Sequence, residues 1–288
     1  MFKALGDYFI SSQGSTIPTS TLNPQQIFGN KLTIWYDFND QSRLFSDTGF
    51  TTTITNNQVI RSIRNKGTGN GRNYDLYSVS SVLSGTTSWR QNYINSNKNL
   101  IVKSGGPLGV YRTVSALTIS DSASAMTYSV VYRASTTASQ VVAISSSNTG
   151  FQQGIQFFVN SSSNACTINL KAGAGFGSGP FSQVIFTPLA FRKTGYNIAT
   201  FTVDSASTLT FYHNEQLVGR ATTTGTTHPI VLTSNTVPMY FNYSIASGGG
   251  TTSADGSEFL EMILSDGVCL TQDQVNNLNE YFKIKYNI

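Results

Sequence analysis

The glutamates are the first residues to consider for chemistry, because glycan hydrolysis uses two carboxylates held on the same side of a cleft. The chain has four of them: Glu215, Glu258, Glu261 and Glu280. Glu258 and Glu261 are three residues apart, so on a regular strand their side chains point to opposite faces. The sequence therefore predicts that a paired-carboxylate site is absent, and that Glu261 anchors a neighbouring backbone group or arginine.

Histidine and cysteine offer little further material for catalysis. The two histidines, His213 and His228, adjoin predicted turns, and the alternation of its strand predicts that His213 is half-buried. The two cysteines, Cys166 and Cys269, cannot build a disulfide framework or a cysteine-rich zinc site. We therefore expect no catalytic residues, no resident metal and no cofactor.

Two weaker patterns point to ligands that we do not expect. Asp37 and Asp40 could contribute to a calcium site at a sandwich rim, but no further carboxylates accompany them. The glycine-rich stretch 171–179 ends in Pro180 instead of opening a helix, so it lacks the context of a phosphate-binding loop. We interpret this stretch as a flexible loop.

A cluster of aromatic and polar residues is the candidate site for sugar binding. It consists of Trp89, Arg90, Asn92 and Tyr93, in a turn-rich region. An exposed aromatic ring can carry the apolar face of a sugar, while amide groups hydrogen-bond its hydroxyl groups. The interpretation we favour is that Trp89 covers the edge of the sandwich, with the sugar platform as the alternative.

The positive charge of the chain is concentrated in its first half. Residues 1–133 contain 12 Lys and Arg and 6 Asp and Glu, and the excess gathers in a basic loop formed by Arg61, Arg64, Lys66 and Arg72. Such a loop could attract a polyanion or an acidic partner. Because no aromatic ladder for stacking bases accompanies it, we favour a solvated loop and expect no nucleic acid.

Short runs rich in Val, Ile, Thr, Tyr and Phe dominate the chain after residue 30, separated by Gly, Asn, Ser or Pro. Ser, Thr and Asn make up a third of the residues, and only 11% are charged. More than ten short strands without intervening helical patterns predict an antiparallel sandwich or barrel. No run is long enough to predict a membrane helix, so we expect no membrane partner.

One helix is predicted near residues 271–282. Thr271 and Gln274 have the spacing of a capping box. Apolar residues then recur on one helical face at Val275, Leu278 and Phe282. We expect this face to pack on the edge of the sandwich.

Several short motifs occur in the order found in one known superfamily. They are a strand with Trp35 and Asp37, a glycine-rich turn at 65–71, a hairpin at Asn214-Glu215, a strand with Glu261, and a helix with a lysine-containing tail. The chain resembles the concanavalin A-like lectins and glucanases, and within them the laminin-G-like jelly rolls of phage and virus structural proteins. The resemblance implies a two-sheet antiparallel jelly-roll sandwich over residues 30–288, with a short C-terminal helix. Ile63 and Glu215 stand where that family usually has Trp and Gly.

Residues 1–29 are predicted to form an extended N-terminal arm, because Pro18 and Pro24 block a regular helix there. The arm carries spaced apolar residues that could anchor it to a partner: Phe2, Leu5, Phe9, Ile10, Ile17 and Phe28. The alternative is a disordered terminus.

The resemblance, the lack of catalytic groups and the arm together favour a non-enzymatic virion structural protein. It would be made in the host cytoplasm and attached to capsid or tail subunits, as a decoration or minor capsid protein, and it could form a homo-oligomer. The alternative is a glycan-binding adhesion module whose partners are cell-surface glycans. A polysaccharide hydrolase or lyase is the third interpretation, and the carboxylate spacing argues against it.

Overall fold

The computed structural model describes residues 22–55, 60–68, 71–78, 89–95, 98–103, 111–116, 125–134, 141–146, 154–160, 163–171, 181–206, 208–222, 238–241, 244–245, 251–252 and 258–288. Within these ranges the helices are α1 (Pro24–Phe28) and α2 (Gln272–Tyr286). The strands are β1 (Leu32–Asp37), β2 (Leu44–Phe45), β3 (Ser62–Ile63), β4 (Leu76–Ser78), β5 (Trp89–Asn95), β6 (Lys98–Lys103), β7 (Tyr111–Ala116), β8 (Met126–Arg133), β9 (Val141–Ser146), β10 (Gly154–Asn160), β11 (Ala165–Lys171), β12 (Phe181–Phe186), β13 (Asn197–Val203), β14 (Thr208–His213), β15 (Gln216–Thr222), β16 (Pro238–Phe241), β17 (Ser244–Ile245), β18 (Thr251–Thr252) and β19 (Glu258–Asp266).

The strands form a two-layer antiparallel sandwich. One layer, here called the helix-covered sheet, has the strand order β15-β14-β13-β8-β19-β6-β5, and β1 also pairs with β19. The other layer, here called the opposite sheet, has the order β12-β11-β10-β9-β16-β7-β4-β3-β2. Strands β17 and β18 pair separately. The two-sheet antiparallel sandwich predicted from the sequence is confirmed.

Aromatic side chains from both sheets fill the space between the layers. Tyr128 on β8 stacks on Phe201 on β13, with ring centroids 4.9 Å apart. Phe157 of the opposite sheet lies 5.7 Å from Tyr128 and 6.4 Å from Phe211 on β14. All four rings are buried, and large aromatic side chains contribute most of the buried area of such a core.

A second apolar cluster lies on the outer face of the helix-covered sheet, beneath α2. Val131 and Ile263 of the sheet pack there with Leu278 and Phe282 of α2. Because the helix covers this face, β8 and β19 are buried on both sides. Both strands therefore carry few exposed polar side chains.

Helix α2 begins with the capping box that the sequence predicts. The backbone N–H of Gln274 donates to Oγ1 of Thr271, and the backbone N–H of Thr271 donates to Oε1 of Gln274. Val275, Leu278 and Phe282 are fully buried, as their spacing predicted. In the part of the chain that the structure describes, neither helix is long and apolar enough to cross a membrane.

The segment before β1 differs from the extended arm expected up to residue 29. Asn23 caps α1 by accepting a hydrogen bond from the backbone N–H of Gln26, and Pro24 occupies the first helical turn. Proline loses no hydrogen bond at this position, so it starts the helix instead of preventing it. Phe28 is only 4% exposed and belongs to the cluster beneath α2. Phe28 is therefore a core residue and not an attachment residue.

The turn after β3 packs along β1. Oδ1 of Asn65 accepts the backbone N–H of Trp35 at 2.8 Å, and Nδ2 of Asn65 donates to the carbonyl of Thr33 at 3.0 Å. The backbone N–H of Lys66 donates to the carbonyl of Trp35. A Cβ atom at Gly67 would lie only 2.6 Å from the carbonyl oxygen of Thr33. Glycine is required there by the close approach of two backbones.

We expect the substitution Gly67→Ala to lower the free energy of unfolding by about 1–3 kcal/mol, because the added methyl group meets the fixed backbone of β1. The matched control is Gly195→Ala, whose Cβ would meet only the flexible side chain of Arg192 at 3.4 Å. The control should change stability by less than about 0.5 kcal/mol. Urea denaturation of both variants measures the difference. Equal stabilities would contradict this account of the turn.

Candidate functional site

Glu258 and Glu261 lie on the same face of β19, and the predicted opposite orientation is wrong. The register between β19 and β8 shifts between Phe259 and Glu261, which is the signature of a β-bulge. As a result, Glu258 contacts Tyr196 and Glu261 contacts Trp35, and both partners belong to the cluster beneath α2. The alternation rule fails here because the strand is irregular between the two glutamates.

Glu261 is fully buried and joins three elements of the fold. Its Oε1 accepts Nε1–H of Trp35 at 2.5 Å and the hydroxyl of Tyr281 at 3.2 Å. Its Oε2 accepts the hydroxyl of Tyr286 at 2.5 Å and Nζ of Lys285 at 2.7 Å. The carboxylate therefore connects β1 and β19 to α2, and its partners are aromatic residues and a lysine instead of the expected backbone group or arginine.

The two aspartates considered for calcium are paired with lysines. Oδ2 of Asp37 is 2.8 Å from Nζ of Lys285 and 3.0 Å from Nζ of Lys66. Lys66 also lies 3.1 Å from Asp40. Among the described residues, no group of three or more His, Cys, Asp or Glu side chains could hold a metal ion.

The buried charges shift the titration of this cluster. Burial raises the pKa of Glu261, and the negative charge of Asp37 adds to the effect, although Lys285 opposes it. Burial alone would lower the pKa of Lys285, but Glu261 and Asp37 outweigh it and raise that pKa. Three carboxylates face two ammonium groups here, since Asp40 pairs with Lys66 as well.

Glu258 has a separate set of internal partners. It is 4% exposed, forms an ion pair with Arg133 and accepts a hydrogen bond from the hydroxyl of Tyr196. Burial raises the pKa of Tyr196 to about 12, so its hydroxyl remains a donor at neutral pH. Neither of the two neighbouring glutamates is open to solvent as an acid or a nucleophile.

His213 is more deeply buried than the sequence predicts. It is 1% exposed, its Nε2 lies 3.1 Å from the hydroxyl of Tyr132, and its ring stacks on Phe191. Burial lowers the pKa of His213 to about 3, and the positive charge of Arg192 acts in the same direction. The imidazole is therefore neutral and structural. His228 lies outside the described residues.

The residues of the predicted basic loop have different environments. The guanidinium of Arg64 lies 4.9 Å from the ring centre of Phe45, and Lys66 forms the ion pairs already described. Arg61 is half-buried, and its backbone N–H donates to the carbonyl of Phe45. Arg72 lies in a short 3-10 helix at Gly71–Tyr74. The charge of Lys66 is thus used within the fold. The solvated loop and the expected lack of nucleic acid stay predictions.

The residues proposed as a glycan platform lie on a strand. Trp89, Arg90, Asn92 and Tyr93 all belong to β5, at the edge of the helix-covered sheet, and not to a turn-rich region. Several other predicted features lie outside the described residues: the glycine-rich stretch after Lys171 and the arm residues Phe2, Leu5, Phe9, Ile10 and Ile17. The platform and the arm stay predictions.

A polar cleft that the sequence analysis did not single out lies between the β14–β15 hairpin and α2. Its volume is about 470 Å³, and it is lined by Glu215 of the hairpin and by Asn276, Asn277 and Glu280 of the helix. Nζ of Lys283 lies 2.6 Å from Glu215 and 2.8 Å from Glu280, so it fastens the hairpin tip to the helix. These hydrogen bonds raise the pKa of Lys283.

The hairpin tip is held by its own turn chemistry. Asn214 and Glu215 have φ angles of 47° and 72°, the left-handed pair typical of a tight two-residue turn. Oδ1 of Asn214 accepts the backbone N–H of Ile198, and its Nδ2 donates to the carbonyl of Ala190. The turn therefore presents Glu215 at a fixed place opposite the helix.

The chemistry of the cleft is that of hydrogen bonding to hydroxyl groups. Amides both donate and accept, and carboxylates accept. The sequence contained one signal for it, because Asn276, Asn277 and Glu280 are among the polar positions of α2 outside its buried face. Their pairing with Glu215 depends on how α2 docks, and no local pattern specifies that.

No family model matches the chain, and no curated protein matches it significantly. Solved structures do share its fold. The binding domain of botulinum neurotoxin serotype D/C VPI 5993 aligns with a TM-score of 0.54 and 12% identity, over 88% of this chain and 52% of that one. The neurotoxin DC binding domain in complex with SialylT aligns with a TM-score of 0.52 and 13% identity, over 85% and 52%.

A weaker alignment involves the CBM40 module of the Ruminococcus gnavus IT-sialidase, bound to α2,3-sialyllactose. Its TM-score is 0.44 at 12% identity, over 58% of this chain and 83% of that one. The chain spans about half the length of the toxin binding domains. At these identities the toxin alignments establish the β-sandwich fold. The phage and laminin-G context of the resemblance stays a prediction.

Proposed function

We propose that this protein is a non-enzymatic glycan-binding module, and that the cleft between the β14–β15 hairpin and α2 contacts the sugar. The observation that carries the proposal is the lining of this cleft. Two amides and two carboxylates converge there from two elements that Lys283 holds together. A rigid set of hydrogen-bonding groups is what the recognition of sugar hydroxyls requires.

The size of the cleft is consistent with a short glycan. Small-molecule sites usually enclose about 300–1,000 Å³, and this cleft has about 470 Å³. Asn276 and Asn277 can each donate to one hydroxyl and accept from another, while Glu215 and Glu280 accept only. One monosaccharide and part of its neighbour would use these groups.

The charge of the cleft indicates which glycans it binds. Glu215 and Glu280 face the single ammonium group of Lys283, which leaves one unit of negative charge. A sialylated or sulfated glycan would be repelled by that charge, whereas neutral sugars and amino sugars would not. We infer a preference for neutral glycans or amino sugars at this site.

The solved structures support the proposal only through the fold. A binding domain of this architecture was solved in complex with SialylT, and another was solved in complex with rat synaptotagmin II. The architecture therefore occurs in binding domains. Because identity is 13% and 15%, the ligand of this chain is inferred from its own cleft.

The absence of an enzymatic activity is part of the proposal. Glu258 and Glu261 lie on one face, but each is held by internal partners beneath α2, and His213 is buried and neutral. These groups are not placed to protonate a leaving group.

The virion role, by contrast, rests on the resemblance and on the arm before residue 22, and it stays a prediction together with residence in a virion.

Binding to a panel of immobilised neutral, amino-sugar and sialylated oligosaccharides tests the proposal. We expect retention of neutral or amino-sugar ligands. Asn276→Ala should weaken the affinity about tenfold, which corresponds to about 1.4 kcal/mol, because it removes hydrogen bonds to the ligand. Glu215→Gly should also weaken it, and glycine suits the φ of 72° at that position, so the hairpin is retained.

The matched control is Asp273→Asn, on the same helix but outside the lining of the cleft. It should bind like the wild type. Retention of sialylated ligands alone, unchanged in the Asn276→Ala and Glu215→Gly variants, would exclude the cleft and direct attention to β5. Cleavage of a bound oligosaccharide would refute the non-enzymatic part of the proposal.

A further inference from the structure

Three side chains beneath α2 have the arrangement of a condensation site. Nζ of Lys285 on α2 lies 2.8 Å from Oδ2 of Asp37 on β1 and 2.7 Å from Oε2 of Glu261 on β19. An amine, a carboxyl group to be attacked and a second carboxyl group to carry protons thus meet at one point. Their side chains are 19%, 6% and 0% exposed, in that order.

Aromatic side chains enclose this point and limit the access of water. Trp35 donates to Glu261 from one side, and the hydroxyl of Tyr286 donates to it from another. The rings of Tyr281 and Tyr286 lie 5.4 Å and 5.0 Å from Nζ of Lys285. Charged groups in a site with little water carry a larger desolvation cost. The exclusion of water also slows hydrolysis of an amide formed there.

We propose that Lys285 and Asp37 form an intramolecular isopeptide bond, with Glu261 as the proton carrier. Glu261 accepts a proton from the ammonium group, and the neutral amine attacks Cγ of Asp37. A bond forms between Nζ and Cγ, and one C–O bond of Asp37 breaks. The attacking nitrogen gives up one further proton to the departing oxygen, Glu261 returns its own proton to the same oxygen, and the oxygen leaves as water. An ammonium and a carboxylate are consumed, and one amide and one water are produced.

The buried charges favour this product. The bond removes one positive and one negative charge from a site with little access to water, and charges in such a site carry a large desolvation cost. Lys66 keeps its ion pair with Asp40 at 3.1 Å. Burial raises the pKa of Glu261, and loss of the ammonium charge of Lys285 removes the main opposing effect, which favours uptake of a proton by Glu261 after the bond has formed.

Geometry assigns the reaction to Lys285 instead of Lys66. Both lysines form an ion pair with Asp37. The second ion pair of Lys66 is with Asp40, whereas the second ion pair of Lys285 is with Glu261. Asp40 is 27% exposed, whereas Glu261 is fully buried. Although burial opposes it, hydrogen bonds from Ser42 and Lys66 lower the pKa of Asp40, so Asp40 is the weaker proton acceptor of the two. The resulting bond would fasten α2 covalently to β1.

The test is the intact mass of the purified full chain under denaturing conditions. We expect a mass lower than that of the sequence by one molecule of water, and a branched peptide joining residues 37 and 285 in tandem mass spectra after proteolysis. Lys285→Ala and Glu261→Gln should have the full sequence mass. A wild-type protein that keeps the full sequence mass after prolonged incubation overturns the proposal.

Two further variants separate chemistry from folding. Asp37→Asn keeps the shape of the side chain and should react with loss of ammonia instead of water, and the branched peptide joining residues 37 and 285 distinguishes this bond from a succinimide at residue 37. Lys66→Ala should still lose water. If Lys66→Ala has the full sequence mass while Lys285→Ala loses water, Lys66 is the nucleophile and the assignment is wrong. Circular dichroism of each variant confirms that a missing bond is not caused by a missing fold.

Discussion

Replacing Trp35 by alanine is expected to lower the free energy of unfolding by about 3–5 kcal/mol, the range for truncating a large core aromatic. The side chain is 9% exposed and lies in the cluster that joins the helix-covered sheet to α2. Its removal leaves a cavity under the helix and takes away the hydrogen bond to Glu261. The ring also loses its contact with the ammonium group of Lys66, 4.3 Å from the ring centre.

The variant Trp35→Phe separates the volume of the ring from its hydrogen bond. Phenylalanine keeps most of the apolar contact but cannot donate to Oε1 of Glu261, which then retains only the longer bond from Tyr281. We expect an intermediate loss of about 1–3 kcal/mol, typical of a buried acceptor that loses a donor. Chemical denaturation of the wild type and both variants measures these losses. A loss below about 1 kcal/mol for alanine would remove Trp35 from the core.

The strands of the sandwich can be predicted from the sequence because their side chains alternate between the two faces of each sheet. Tyr128, Val130 and Tyr132 face the core between the sheets, and the run Met126–Arg133 agrees with the predicted strand. The same run carries Val131 on its other side, which packs beneath α2. Local periodicity identifies such a strand, while the number of layers that cover it depends on contacts far away in the chain.

The expectations that differ from the structure involve local irregularity. Pro24 follows a capping residue, and the pattern Asn23-Pro24-x-Gln26 is itself a helix start, so a rule that treats proline only as a helix breaker misreads it. The bulge at Glu261 changes the face of a side chain without a glycine or proline to mark it. Neither departure alters the fold, but each changes which residues are available to a partner.

The candidate cleft shows a different limit of sequence reasoning. Glu215 stands where the family that the chain resembles usually has glycine in a turn, and Asn276, Asn277 and Glu280 are polar positions of α2. Their meeting requires the docking angle of the helix on the sheet, which the buried residues of both elements set together. A contact between a hairpin tip and a helix therefore has no signature in either segment alone.

Lowering the pH is expected to destabilise the protein through His213. The pKa of this residue is about 3 in the folded protein, against about 6.5 in an unfolded chain. Between these values the unfolded state binds the proton and the folded state does not, so stability is present above about pH 6.5 and is lost as the pH falls. The loss attributable to His213 is about 2 kcal/mol at pH 5 and about 3 kcal/mol at pH 4.

The environment of the imidazole explains why it resists protonation. Burial is the main cause, Arg192 adds positive charge nearby, and Tyr132 occupies Nε2. The variant His213→Gln cannot titrate, so the difference between its pH–stability curve and that of the wild type isolates this residue from the carboxylates. We expect the wild type to lose about 2 kcal/mol more than the variant between pH 8 and pH 5. Parallel curves would mean that His213 accepts its proton without unfolding, and that the packing around Tyr132 and Phe191 opens to admit it.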